Sequence, residues 1–133
     1  MLILALDTSS SVGAALLDDE RLLAAEQHHD PRRHGELLAP AVRSVLAAAG
    51  VDRRELDAVA VGVGPAPFTG LRVGVATALV LGEALGIPVH GVGSPSVFCF
   101  LGGGSRFSWS KFHRPPTGSA PSMRTPCARR ARR

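Results

Sequence analysis

Two segments carry the residue types from which an anion site can be built. Asp7-Thr8-Ser9-Ser10-Ser11 follows an apolar run and sets one carboxylate beside four hydroxyls. The hydroxyls and backbone N–H groups of such a turn can donate to phosphate oxygens, while a carboxylate holds a hydrated cation. The same residue types also make an ordinary hairpin turn. Gly62-Val63-Gly64-Pro65-Ala66-Pro67-Phe68-Thr69-Gly70-Leu71-Arg72-Val73-Gly74 joins an apolar strand to a helix opening, where free amides attract anions. Pro65 and Pro67 remove two N–H donors, and the Gly-Lys-Ser/Thr ending of a P-loop is missing. A rigid structural turn is therefore expected there in preference to a phosphate cradle.

The remaining candidates are the histidines His28, His29, His34, His90 and His113 and the cysteines Cys99 and Cys127. His28, His29 and His34 straddle a strand end and a loop. They lack the i, i+4 spacing that sets two imidazoles on one helical face, so no metal site is expected. The cysteines have neither metal-ligand nor disulfide-framework spacing, which fits a reducing cytoplasm. Neither has a neighbouring base that would make it a nucleophile, and no Ser-His-Asp arrangement can be assembled.

The elements that position these residues follow from the apolar pattern. Residues 2–7, 12–17 and 21–28 read as three strands with short connections, an antiparallel meander. Helical spacing predicts a helix over 35–49, with Pro40 inside it and Gly50 as its C-terminal cap. A strand over 57–63, a helix over 70–85 ended by Gly86, and a strand over 87–92 follow. Ser94-Pro95 has the residues of a further helix start. Right-handed crossovers make the last two strands parallel to the first and predict a mixed five-stranded sheet in the order 3-2-1-4-5. That is an α/β half-domain of the ribonuclease H-like or actin-like layout. Helix 70–85 is apolar around most of its circumference, and helix 35–49 is broadly so. One stripe satisfies packing on a sheet, so the excess calls for a second domain or a partner protein.

The chain has 133 residues, 45% of them apolar and 20% charged, the composition of one globular domain and not of a fibrous or disordered chain. Its apolar runs break before the roughly 18 residues that span a bilayer. The N-terminus meets Asp7 without a basic leader and reads as a buried strand, not a signal peptide. The net charge of +4 divides sharply: residues 1–98 hold seven Arg, no Lys and eleven acids, a net −4, whereas residues 99–133 hold seven Arg, one Lys and no acid, a net +8. No apolar periodicity persists in the second stretch. Residues 1–98 are expected as the folded unit and 99–133 as a disordered basic tail.

The Leu-Asp-Thr-Ser hairpin, the helix opened by His34 with Leu37-Leu38 and Pro40, and above all Gly64-Pro65-x-x-Phe68-Thr69-Gly70-Leu71-Arg72-Val73-Gly74 resemble the TsaB (YeaZ) family. Gly86-Ile87-Pro88-Val89 also fits, and the resemblance covers residues 1–98. It implies an actin-like (ASKHA) fold and an accessory, non-catalytic role in making threonylcarbamoyladenosine on tRNA, at the adenosine beside the anticodon. It implies pairing with a catalytic relative, TsaD, which the ATPase TsaE joins, with self-association using the same helices. On that basis the partner surface is expected at Leu38, Val42 and Val45 of the first helix and Leu71, Val75 and Leu79 of the second. The expected family loop is Gly64, Pro65, Phe68, Thr69, Gly70 and Arg72, and Asp7, Thr8 and Ser9 would form a vestigial phosphate turn. tRNA would be met only through the complex, with no membrane, metal or cofactor.

Alignment on Val89-His90-Gly91-Val92 puts Ser94 and Phe98 where the catalytic relative has two metal-binding histidines, so the transfer chemistry is expected to be absent. Ala66 and Pro67 stand where the family usually has Gly and Ser. The family's second lobe is replaced by the acid-free stretch, as a shifted reading frame near residues 98–105 would do. The alternatives are an actin-like nucleotide-binding phosphotransferase using Asp7, an RNA-binding basic arm, and a truncated fragment without function. The family's old peptidase label finds no nucleophile or metal set.

Overall fold

The computed structural model describes residues 1–9, 11–30, 32–64 and 68–93, apart from the side chains of His34, Phe68 and Thr69. Ser94, Phe98, the substituted loop positions Ala66 and Pro67, and the basic stretch 99–133 lie outside the described residues. The chain runs β1 (Leu2–Asp7), β2 (Val12–Asp18), β3 (Arg21–His28), α1 (His34–Ala49), a 3-10 turn (Arg53–Glu55), β4 (Ala58–Gly62), α2 (Phe68–Leu85) and β5 (Val89–Val92). The sheet order is β3-β2-β1-β4-β5. β1–β2 and β2–β3 pair antiparallel, while β1–β4 and β4–β5 pair parallel. Three strands joined by short turns and two strands reached through helices account for that order.

Strand alternation divides the sheet into two faces. Leu2, Leu4 and Leu6 of β1, Val12, Ala14 and Leu16 of β2, and Val59 and Val61 of β4 face both helices and build the main core. α1 contributes Leu38, Ala41, Val42 and Val45, all buried, at the spacing of one helical stripe. This corrects the expected partner surface: Leu38, Val42 and Val45 are core residues, because that stripe is needed to cover β2 and β3. α1 turns Gly35, Glu36, Ala39, Pro40, Arg43, Ser44, Ala47 and Ala48 outward.

Both helices stop as their sequences require. Gly50 and Gly86 each take φ of +65°, a conformation open to Gly at no steric cost. At the first, Gly50 N–H donates to the Ala47 carbonyl and Val51 N–H to Leu46; at the second, Gly86 N–H donates to Glu83 and Ile87 N–H to Gly82. These are paired Schellman closures. The second one shortens β5 relative to expectation. Ile87 N–H is spent on the helix end, so the strand starts at Val89 and not at residue 87. β4 is likewise shorter at its start, since Asp57 turns its carboxylate to the Leu2 N–H at 2.7 Å.

On the α1 side of β3, Glu26 Oε1 lies 2.5 Å from His28 Nε2. The Glu26 carboxyl is held below its ordinary value, first by a hydrogen bond from Ser44 of α1 and then by His28, against the opposing effect of desolvation. A depressed folded-state pKa stabilises the fold above the unfolded-state value and loses that contribution as pH falls through the folded one. Glu26→Gln is therefore expected to lower stability at neutral pH, to change it little below the range in which the folded-state carboxyl is protonated, and so to flatten the acid side of the stability profile. Urea midpoints across the acid range check this, and an unchanged acid limb would refute it.

Candidate functional site

The two segments singled out for chemistry meet at one end of the sheet, where the β1–β2 turn touches the first turn of α2. Asp7, Thr8, Ser9 and Ser11 are all buried, Thr8 completely. The Thr8 hydroxyl donates to the Gly70 carbonyl at 2.5 Å and accepts from the Gly74 N–H at 3.0 Å. Those are two groups that an α-helix would otherwise join to each other. A side chain sixty residues upstream is thus built into the first turn of α2. The contact is close enough that a Cβ on Gly74 would lie 2.6 Å from Thr8 Oγ1.

The other polar groups of the turn are largely spent inside the fold. Asp7 Oδ1 accepts the Ser9 N–H at 2.6 Å, and Ser11 Oγ accepts from Gln27 Nε2 at 2.8 Å. Asp7 Oδ2 is buried without a hydrogen-bond partner. A hydrated cation beside a phosphate needs room and several oxygens, yet Asp7 is only 1% exposed. No group of three His, Cys, Asp or Glu suited to a metal occurs among the described residues. The turn does not fit a magnesium–nucleotide site, and its geometry is that of a clamp on α2. A buried carboxylate oxygen without a partner is costly. Asp7→Asn retains the acceptor for Ser9 and is expected to raise stability by about 1–2 kcal/mol. A urea titration at neutral pH reads this, and a loss of stability would contradict it.

Of the expected loop residues, Gly64 takes φ of +102° as the chain leaves β4, where a side chain would be strained. Phe68 and Thr69 open α2, Gly70 supplies the carbonyl bound by Thr8, and Arg72 is exposed on the first turn. Pro65 lies outside the described residues. The structure thus brings Gly70 and Gly74 to Thr8, a connection that sequence reasoning missed.

Beyond its first turn, α2 is inverted as an amphipathic helix. Gly70, Gly74, Ala78 and Gly82, four residues apart, form its buried stripe against the sheet. A side chain at Gly82 would collide with Val89 and with the Ile87 carbonyl. Val73, Val75, Leu81 and Leu85 flank the stripe and pack against the main core, while Leu79 is 56% and Val80 68% exposed. Ala76 and Ala84 are exposed beside them, and Leu71 and Val75 are half-buried at the margin. Among the described residues, no helix is long and apolar enough to cross a membrane.

The sheet order, the two crossover helices and the clamped turn define an actin-like, ribonuclease H-like half-domain. The sequence model of a family described as "TsaD: tRNA N6-adenosine threonylcarbamoyltransferase" matches residues 23–100. An uncharacterized protein of Mycobacterium leprae is 50% identical over 96 residues, covering 68% of this chain and 27% of that protein. The Bacillus subtilis "tRNA threonylcarbamoyladenosine biosynthesis protein TsaB" is 36% identical over 95 residues, covering 71% and 42% respectively. Among solved structures, "YeaZ from Pseudomonas aeruginosa" superposes with a TM-score of 0.65 at 38% identity, covering 70% of this chain and 45% of that one. The chain belongs to the TsaB (YeaZ) family, within the wider TsaD family. It spans less than half the length of each of these three relatives.

Proposed function

We propose that this chain is a non-catalytic partner subunit in the synthesis of threonylcarbamoyladenosine on tRNA, and that it binds a TsaD-like catalytic subunit through the outer face of α2. The observation that carries this reading is the inversion of α2. A helix that buries glycines and exposes leucine and valine is shaped by two surfaces, the sheet beneath and a partner above. The names of the relatives supply the pathway, and the match to the TsaD family suits pairing between related half-domains. Leu71, Val75 and Leu79 remain in the proposed surface, joined by Val80. Leu38, Val42 and Val45 act from beneath by holding α1 in place. A TsaE-like ATPase and tRNA would be met only through the complex, in the cytoplasm.

Gel filtration of the full chain mixed with a TsaD-like subunit tests the proposal. Co-elution at concentrations of about tens of micromolar is expected, a range in which even modest interfaces are populated. Independent elution of the two proteins would refute it. Elution of the chain as a dimer that the catalytic subunit does not disturb would assign the face to a second copy instead.

A further inference from the structure

The inner stripe of α2 carries nothing that could interlock with the sheet. A packed helix keeps its rotation and register because side-chain ridges seat in the grooves of the surface beneath. Gly70, Gly74 and Gly82 project no side chain and Ala78 only a methyl, and all four are buried. Val73, Val75, Leu81 and Leu85 pack on the core from the flanks, which holds the helix down without indexing the stripe. The projections come from the sheet instead. Thr8, completely buried just beyond β1, puts its hydroxyl between the Gly70 carbonyl and the Gly74 N–H. At the other end Val89 of β5 stands against Gly82, so close that a Cβ there would collide with it.

We propose that Thr8 and Val89 are positioning residues for the partner face of α2. They fix the rotation and register at which Leu79 and Val80 are presented, so that the β1–β2 turn controls partner affinity. The inference rests on the reading of α2 as the partner surface. Thr8 is buried, Val89 packs on the main core beneath the helix, and both act through α2. The turn holds Thr8 from both sides, because Asp7 Oδ1 accepts the Ser9 N–H across it.

The dimensions show why such indexing matters. Gly74 and Gly82 are about 12 Å apart along the helix axis, and Leu79 lies between them. Side chains at a helix surface stand about 5–6 Å from the axis, so a rotation of about 20° carries them sideways by about 2 Å. A gap of about 0.5–1 Å already forfeits about a quarter to a half of a dispersion contact. An apolar interface built on Leu79 and Val80 is therefore sensitive to the rotation that the two projections fix. Releasing either one leaves the exposed side chains on the surface but no longer in register with the partner.

Titration calorimetry of the full chain against the TsaD-like subunit tests it, with circular dichroism to confirm that each variant is folded. Thr8→Val keeps the shape and deletes the hydroxyl, and is expected to weaken binding at least about fivefold, the lower end of the usual range for coupled sites. Thr8→Ser restores the hydroxyl and should bind as the parent does. Val89→Ala removes the second projection and should weaken binding likewise; it carries the test alone if Thr8→Val does not fold. Ile3→Val lowers stability from the opposite face of the sheet, away from α2, and should keep the parent affinity. Parent affinity in Thr8→Val and Val89→Ala, with binding lost in Leu79→Asp, would overturn the positioning role and leave the partner face standing. An equal loss in Ile3→Val would also overturn it, since stability alone would then account for the effect. Parent affinity in Leu79→Asp would remove the partner face itself, and the inference with it.

Discussion

Gly74→Val is expected to destabilise the fold by about 3 kcal/mol or more, the range for overpacking combined with stranded buried polar groups. The Cβ alone would stand 2.6 Å from Thr8 Oγ1, and two relaxations are open. If the hydroxyl keeps its place, the first turn of α2 must lift away from the β1–β2 turn. If the hydroxyl swings aside, the Gly70 carbonyl and the Gly74 N–H lose the oxygen that serves both. Thr8→Val, which keeps the shape and deletes the hydroxyl, isolates the second cost at about 1–3 kcal/mol. Thr8→Ser should be much milder.

The two sites are coupled, so Thr8→Ala combined with Gly74→Ala should cost less than the sum of the single changes. Urea unfolding of the full chain measures all six variants, with an unchanged slope as the sign that only stability has moved. Gly74→Ala within about 0.5 kcal/mol of the parent would mean that the clamp does not hold α2.

The clamp on α2 is the part of the site that the sequence does not reveal. The strand order was legible because short polar turns separate the first three apolar runs and helices separate the rest. The helix ends were legible because Gly50 and Gly86 follow periodic apolar stretches. Nothing local to Thr8 says that its hydroxyl enters a helix more than sixty residues away, since hairpin turns of this composition are common. One signal was present: Gly70, Gly74, Ala78 and Gly82 recur every fourth residue, which draws a single smooth stripe down a helix. Such a stripe implies close approach to whatever the helix covers.

On α1 the residues expected at a partner surface are buried in the core, for a related reason. Leu38, Val42 and Val45 are the most regular apolar residues of that helix, and regularity marks the stripe that faces the core. On α2 the apolar residues surround the axis, so periodicity alone could not say which side faces out. The glycine stripe decides it.

If the proposed pairing holds, Leu79→Asp is expected to weaken binding to the proposed TsaD-like partner at least about a hundredfold, while leaving the chain as stable as before to within about 0.5 kcal/mol. The two halves of that expectation rest on the same fact. Leu79 is 56% and Val80 68% exposed, so an aspartate there is solvated in the free chain and desolvated only when a partner covers it. A carboxylate buried without a counter-charge costs about 3–5 kcal/mol, which is two or more decades in affinity. Val80→Asp should behave alike. Val45→Asp, by contrast, puts the charge into the core and should unfold the chain.

An interface of this composition is held by apolar contact, so the affinity of the parent chain should change little with salt. Titration calorimetry of the parent and of Leu79→Asp at two salt concentrations, with a urea midpoint for each, separates the effects. If Leu79→Asp binds the partner as tightly as the parent, the outer face of α2 is not the interface. If it binds as tightly but turns a dimeric chain into a monomer, the helix pairs with its own copy.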